Sequence, residues 1–424
     1  MTEKLLQFIW RFQYFNTQSL QSETGESLLI SKQGLFNLNQ GPDFLEATVK
    51  IEDVILVGNI EIHVRSSDWN KHGHSADKNF SNIILHVVWN NDVEIKDGNG
   101  SILPTLSLQN RIAKILLQSY QQLMEEASPI ACQNFLPALS DLGWLAWKER
   151  LAIERLKLKS DKILGLFEES NHHWEEVFWW IIASNFGIKV NAELFEQVAR
   201  SIPLTILGRH KNQIHQLEAL LCGQAHLLDE EFKEDYPQLL QREYLFLQKK
   251  YRLLPVNATA CFLRMRPANF PTLRLAQLAM LIFNGIHLFS KVKEFQSLKE
   301  AKELFDITCN DYWHYHYLFD EPSSFKPKHL GIQMINNIFI NAVIPVLFAY
   351  GLYTNDQKCK DKAIGWLSEI KAEENSITRS WKASGIKKAT ALDSQALIQL
   401  MNHYCHKKLC LECAVGNKIL KTKY

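Results

Sequence analysis

The chain has 424 residues, 46% of them hydrophobic and 22% charged, so it is long and apolar enough to bury a large core, and two domains are expected. A formal net charge of +1 excludes attraction of the molecule as a whole to nucleic acid. Eight cysteines and a start, Met1 to Arg11, that reads as an amphipathic helix rather than a secretory segment point to a reducing, cytoplasmic setting.

In chain order, a helix is expected from Glu3 to Tyr14, then a short strand from Ser27 to Ser31. Two alternating segments follow, Phe44 to Ile51 and Asn59 to Arg65, with Glu52-Asp53 as a turn between them. In the second, Ile60, Ile62 and Val64 are apolar while Asn59, Glu61, His63 and Arg65 share the other face, the period of a half-buried strand. A polar, loop-like crossover, Ser66 to Asn82, leads to a strand from Ile83 to Trp89. Two more strands, Val93 to Lys96 and Ser101 to Leu108, are expected around Asp97-Gly98-Asn99-Gly100, then a helix from Arg111 to Glu126. After a connector from Ser128 to Pro137 the periodicity is helical, with segments at Leu142 to Leu166, Trp174 to Phe186, Ala192 to Ala199, Glu231 to Tyr251, Leu273 to Phe283, Ile332 to Tyr350, Lys358 to Ile370 and Asp393 to Tyr404. The expected fold is therefore α+β, an N-terminal mixed-sheet α/β domain over residues 1–127 and a larger all-helical domain over 128–424. The longest apolar run, Ile338 to Tyr353, is broken by Asn341 and Pro345 and reads as too short to span a membrane.

The chemistry concentrates in Gln40-Gly41-Pro42-Asp43 and Gly58 to Arg65. Antiparallel pairing of the two strands brings Asp43 near Glu61 and His63, so two carboxylates face one small cation. Mg²⁺ takes hard oxygen ligands in an octahedron and keeps several waters, which two carboxylates, water and a phosphate satisfy. By strand parity Asp43 falls on the apolar side unless the backbone bends at Gly41-Pro42, which makes Glu46 a rival ligand.

Pro42-Asp43, a gap of hairpin length, then Glu61-Ile62-His63 resembles the signature of the PD-(D/E)XK nuclease superfamily, and the order of elements resembles its αβββαβ, restriction-endonuclease-like core. The resemblance implies Mg²⁺ or Mn²⁺ on Asp43 and Glu61 and nucleic acid as substrate, with DNA favoured over RNA, and Gln40 is a further candidate site residue from the run that leads into Asp43. His63 stands where the superfamily has lysine. It is a candidate general base or third ligand, with Arg65 or Lys50 supplying the missing positive charge. The departure also leaves open a non-catalytic nucleic-acid-binding or scaffold protein with a degenerate nuclease fold. The whole chain resembles a bacterial domain-of-unknown-function family, number 2851, through Asn39 to Phe44, Ser67-Asp68-Trp69, His72-Gly73-His74, Leu85 to Val88 and the terminal cysteine segment. That likeness names relatives and no reaction.

A second site is suggested by the crossover. Asp68, His72, His74 and Asp77 lie in one short segment, with His86 on the next strand, and histidine with carboxylate suits zinc. His72, His74 and Asp77, with His63 or His86, would then serve a zinc-dependent hydrolase. His72 or His74 also resembles the histidines by which some superfamily nucleases protonate a leaving group. A third site is Cys405, Cys410 and Cys413, which bind zinc or an iron–sulfur cluster if Cys132, His403 or His406 adds a ligand. Certain superfamily exonucleases resemble this, with three clustered cysteines and a distant fourth. Nine Lys or Arg against two acids from Arg379 to Tyr424 make a basic end suited to phosphate contact. Arg264 to Pro271 reads as a helix start capped by Asn269, and His314, His316 and the Trp174 to Trp180 stretch read as core.

Overall fold

A computed structural model describes residues 1–254 and 256–421 of the protein. It is α+β, a mixed sheet in the N-terminal part followed by a largely helical region. Two compact units emerge, Met1–Trp147 with Ala383–Ile386 and Leu400–Tyr424, and Lys148–Lys382 with Lys387–Gln399. The cysteine-bearing end thus belongs with the sheet.

In the first unit, α1 (Glu3–Arg11) is capped by Thr2, whose hydroxyl accepts the Leu5 N–H, and buries Leu5, Leu6, Phe8, Ile9 and Trp10. It stops short of Tyr14 because Gln13 turns to a positive φ of 52°. The seven strands are β1 (Leu20–Gln21), β2 (Ser27–Lys32), β3 (Leu35–Phe36), β4 (Phe44–Ile51), β5 (Val54–Arg65), β6 (Ile83–Asn90) and β7 (Thr105–Ser107). They lie in the order β1-β2-β4-β5-β6-β7, with β3 also pairing β4. Pairing is antiparallel as far as β5 and parallel for β5/β6 and β6/β7. The crossover between the parallel strands holds one short helix, α2 (Asp68–Lys71), and two 3₁₀ turns.

A bulge in β4 decides which side Asp43 faces. The ladder to β5 shifts between Phe44/Ile60 and Ala47/Gly58, and Glu46 takes a φ of 56° there. The extra residue reverses the alternation, so Phe44 joins Ala47, Val49 and Ile51 on the buried apolar face and Asp43 joins Glu61 on the other. The bend falls at Glu46 rather than at Gly41-Pro42. Glu46 itself turns outward, 71% exposed, to pair with Lys32 at 3.6 Å.

Alternation in β5 suggests one solvated face, but Glu61 and His63 are as buried as Ile60 and Ile62. The polar face is covered because α1 and α2 pack over β5. The expected hairpin from Val93 to Leu108 reduces to a single bridge, Lys96 to Ile102, plus the short β7. Ile95 and Leu103 turn inward instead, forming a small core with Trp69 and Phe80 that anchors the crossover. Helix α3 (Lys114–Glu125) packs against the C-terminal helix Ala414–Lys421. The Lys408 ammonium donates to the carbonyls of Leu123, Met124 and Glu126 at the end of α3.

Among its described residues the second unit is largely helical, with a two-stranded ribbon, His316–Leu318 with Glu321–Pro322, and two isolated bridges. The apolar run near residue 340 belongs to one helix, Ile332–Tyr353, with a π-helical stretch at Phe339–Val343. Pro345 sits in the first turn after that stretch, where widened pairing makes its missing N–H tolerable. By length and composition this helix is long enough to cross a membrane, which corrects the shorter reading. About two thirds of its apolar window, 67%, is buried inside the fold. Asn269 does not cap the following helix, Pro271–Asn284. Its side-chain Oδ1 accepts from the Arg274 guanidinium at 2.6 Å, while Phe270 holds the cap position without a side-chain bond. Of the residues read as core, Trp179 and His316 are buried, as is the adjacent Trp313, whereas Trp174, Trp180 and His314 are half-buried.

Candidate metal centre

The site grows out of one end of the β4/β5 hairpin. Asp43 accepts the Ile62 N–H on Oδ2 at 3.1 Å and the Gln7 amide on Oδ1 at 2.8 Å. Glu61 Oε2 accepts the Asp43 N–H at 3.1 Å. The reciprocal bonds lock the two acids side by side. Gln7 arrives from α1, where it also donates to Glu3 at 3.4 Å.

Histidines close over the same face. His63 Nε2 lies 3.1 Å from His72 Nδ1, and His63 Nδ1 lies 2.9 Å from His86 Nε2. Glu61 Oε1 stands 3.6 Å from His63 Nε2 and 3.5 Å from His74 Nε2. A donor atom from each of His63, His72 and His74 lies within 4.8 Å of the other two. His86 shares the face because it stands in register with Glu61 across the parallel pair. The set runs from buried His63 to exposed His72, so solvent reaches it on one side.

The crossover holds the two loop histidines in place through its own packing. Asp92 accepts from Ser66 Oγ at 2.9 Å and from the Ser67 amide and hydroxyl at 2.9 and 2.8 Å, which fixes the start of the loop. Trp69 Nε1 donates to Ser75 Oγ at 2.9 Å. Phe80 stacks on His74 with centroids 3.8 Å apart. Gly73 takes a φ of 72°, the left-handed turn that brings His74 back beside His72.

Burial, then repulsion between neighbours, sets the protonation. Burial pushes the Asp43 and Glu61 carboxyls well above the usual range, and Asp43 adds to the rise at Glu61. Burial and the nearby imidazoles hold His63 and His86 down at about 3 and lower His74. These rings are therefore neutral at pH 7, with lone pairs available to a cation. The fit to a metal is supported by a buried polar atom, His74 Nε2, which has no hydrogen-bond partner.

Several expected residues stand elsewhere. Lys50 pairs with Ile55 near the turn, at the opposite end of the hairpin from Asp43, and contacts Asp53 at 3.4 Å. Arg65 is exposed, and its amide donates to Asp68. Neither therefore supplies the lysine-like charge. Gln40 is exposed in the loop, where its carbonyl accepts from Asn37. Asp68 is tied up with Lys71 and the Arg65 amide, and Asp77 caps the Lys78–Phe80 turn. Glu3 and Gln7 were not singled out from sequence. Their only signal is a pair of polar residues four apart on α1.

Cys132, Cys405, Cys410 and Cys413 all belong to the first unit, where neighbouring thiols of the set add to the rise in pKa at Cys132, Cys405 and Cys413. Burial raises all four thiol pKa values. The basic end is not one phosphate-binding stripe. Lys388 is buried against Glu373 and Thr378, Lys408 caps α3, the remaining described cations divide between the two units, and Lys423 lies outside the described residues.

Sheet, bulge and imidazole cluster define an α+β protein with an acid–histidine centre on one buried sheet face. The chain belongs to the family described as protein of unknown function (DUF2851), whose profile matches residues 3–376. No curated protein and no solved structure matches it.

Proposed function

We propose that the N-terminal unit is a divalent-metal-dependent hydrolase of nucleic-acid phosphodiester bonds. The observation that carries this is the meeting of Asp43 and Glu61, from neighbouring strands, on one face with His63 beside them. Helix α1, strands β2, β4 and β5, the crossover and β6 follow the αβββαβ order of the PD-(D/E)XK superfamily. The pairing of an acid that precedes one strand with an acid inside the next is what that resemblance leads one to expect, and it supports a restriction-endonuclease-like reading.

Glu61 and the neighbouring imidazoles would hold a divalent ion, which would supply an acidified water and polarise the scissile phosphoryl group. Asp43, half-buried and next to Glu61, is placed to take the proton of an attacking water. Its orientation is set by Gln7 and the Ile62 amide. His63 is neutral and enclosed by other imidazoles, which suits a ligand better than a substitute for the superfamily lysine. DNA is favoured over RNA as substrate from the resemblance alone.

The test is cleavage of plasmid DNA and single-stranded RNA by the full chain with Mg²⁺, Mn²⁺ or Zn²⁺, beside Asp43→Asn and Glu61→Gln. Loss of at least ~100-fold in rate in both variants is expected, the range of removing a group that stabilises the transition state. Cleavage unchanged in both would remove the assignment.

A further inference from the structure

We infer that the resident ion is a zinc-class transition ion bound by His63, His72, His74 and Glu61, with Asp43 outside its coordination shell. This deepens the hydrolase reading by naming the ion, and it stands or falls on separate measurements.

Spacing comes first. Two ligands about 2.0–2.1 Å from one zinc ion at the tetrahedral angle stand roughly 3.3 Å apart. His63 Nε2 to His72 Nδ1 is 3.1 Å, His63 Nε2 to Glu61 Oε1 is 3.6 Å, and His74 Nε2 to Glu61 Oε1 is 3.5 Å. Three of the six ligand–ligand separations are thus already near those a four-coordinate ion imposes, and one donor atom from each of the three rings lies within 4.8 Å of the other two.

The donor set then selects the metal. Imidazole suits zinc, cobalt, nickel and copper, whereas Mg²⁺ requires oxygen ligands in a strict octahedron and keeps its water. Three ring nitrogens around one carboxylate oxygen are therefore a poor Mg²⁺ site. Of the two acids expected from sequence, Glu61 is the one whose oxygen stands within 3.6 Å of two imidazole nitrogens, while the Asp43 oxygens are turned to Gln7 and the Ile62 amide.

Neighbouring groups orient the ligands as metal sites require. A histidine bound through Nε2 carries its proton on Nδ1 and donates it. His63 Nδ1 faces the buried His86 Nε2 at 2.9 Å, so His86 fixes that ring. Glu61 turns Oε1 to the histidines because Oε2 is held by the Asp43 amide. His74 Nε2, buried with no hydrogen-bond partner, is a group that a bound ion would satisfy. His72, the exposed member, lies on the route of entry.

The chain is stripped with chelator, loaded with Zn²⁺ or Co²⁺, desalted, and assayed for metal content and the visible spectrum of bound Co²⁺. One equivalent per chain is expected, with intense tetrahedral-type Co²⁺ bands and no displacement by millimolar Mg²⁺. His72→Ala, an exposed change that leaves the fold intact by circular dichroism, should abolish the bands or weaken affinity at least 10-fold. His86→Ala should weaken it ~10–100-fold, the effect of losing an orienting partner. Cys410→Ser should leave the His72-dependent equivalent in place. The inference is overturned if no Co²⁺ band forms, if the band survives His72→Ala and His74→Ala unchanged, or if Cys410→Ser removes it. A chain that holds the ion but cleaves no nucleic acid would refute the hydrolase reading and leave this one standing.

Discussion

Replacing Glu61 by glutamine should make the metal-free protein more stable while removing its response to metal. In the metal-free fold, burial and the adjacent Asp43 raise the Glu61 carboxyl from 4.5 to about 9, and its side chain is only 8% exposed. The folded state therefore holds this proton more tightly than the unfolded chain. The contribution is fully present below about 4.5 and is lost progressively as pH rises toward about 9. At pH 6, about 1.5 units above the unfolded value, the lost stability is about 2 kcal/mol, since one unit corresponds to ~1.4 kcal/mol. Glutamine keeps the shape and a carbonyl for the Asp43 amide, and has no proton to lose. Urea unfolding in chelator at pH 4.5, 6 and 7.5 should show Glu61→Gln gaining on the parent as pH rises. His63 and His86, held down at about 3, reduce stability as pH falls below about 6.5, but they do so in both proteins. With Zn²⁺ at 100 times its dissociation constant the parent should gain about 2.7 kcal/mol and the variant little or none. A parent and variant with the same pH slope, or a variant less stable at every pH, would refute the account of a buried, mutually repelling acid pair.

Three further changes probe the scaffold. Lys408→Met removes the donor shared by the Leu123, Met124 and Glu126 carbonyls, at an expected cost of about 1–3 kcal/mol. Limited proteolysis should then cut faster within Leu400 to Lys421. Lys148→Met leaves Asp393 without its 2.9 Å partner in a pair whose side chains are 10% and 17% exposed, and should cost about 3–5 kcal/mol in urea unfolding. Adding Asp393→Asn, which removes the charge and keeps an oxygen for the Ala389 and Thr390 amides, should recover part of that loss. Gly223→Ala places a methyl group where the Tyr244 ring lies and should cost about 1–3 kcal/mol by thermal unfolding, partly restored by Tyr244→Leu.

Much of the sheet was legible because alternation survives in the strands beside the site. Phe44 to Ile51 matches β4, the far half of β5 contains Asn59 to Arg65, and β6 overlaps Ile83 to Trp89. The hairpin from Val93 to Leu108 is shorter than its sequence suggests: Ile95 and Leu103 stay joined by a backbone hydrogen bond beside the Lys96–Ile102 bridge, and both side chains pack on Trp69 and Phe80. Short helices such as Leu204–Arg209 and Leu298–Glu303 escaped notice because six residues show too little periodicity to register.

Residue type and local order alone establish the family, the α+β division, and a stretch where acids and histidines crowd between residues 43 and 86. Which of them meet is settled only in three dimensions. A one-residue bulge at Glu46 turns Asp43 across the sheet, and a left-handed Gly73 folds His72 and His74 back over His63. The long amphipathic start of the chain delivers Gln7 to Asp43. Strand parity is a local rule, but one inserted residue reverses it, and enclosure of a polar face depends on elements distant in sequence that no local pattern specifies.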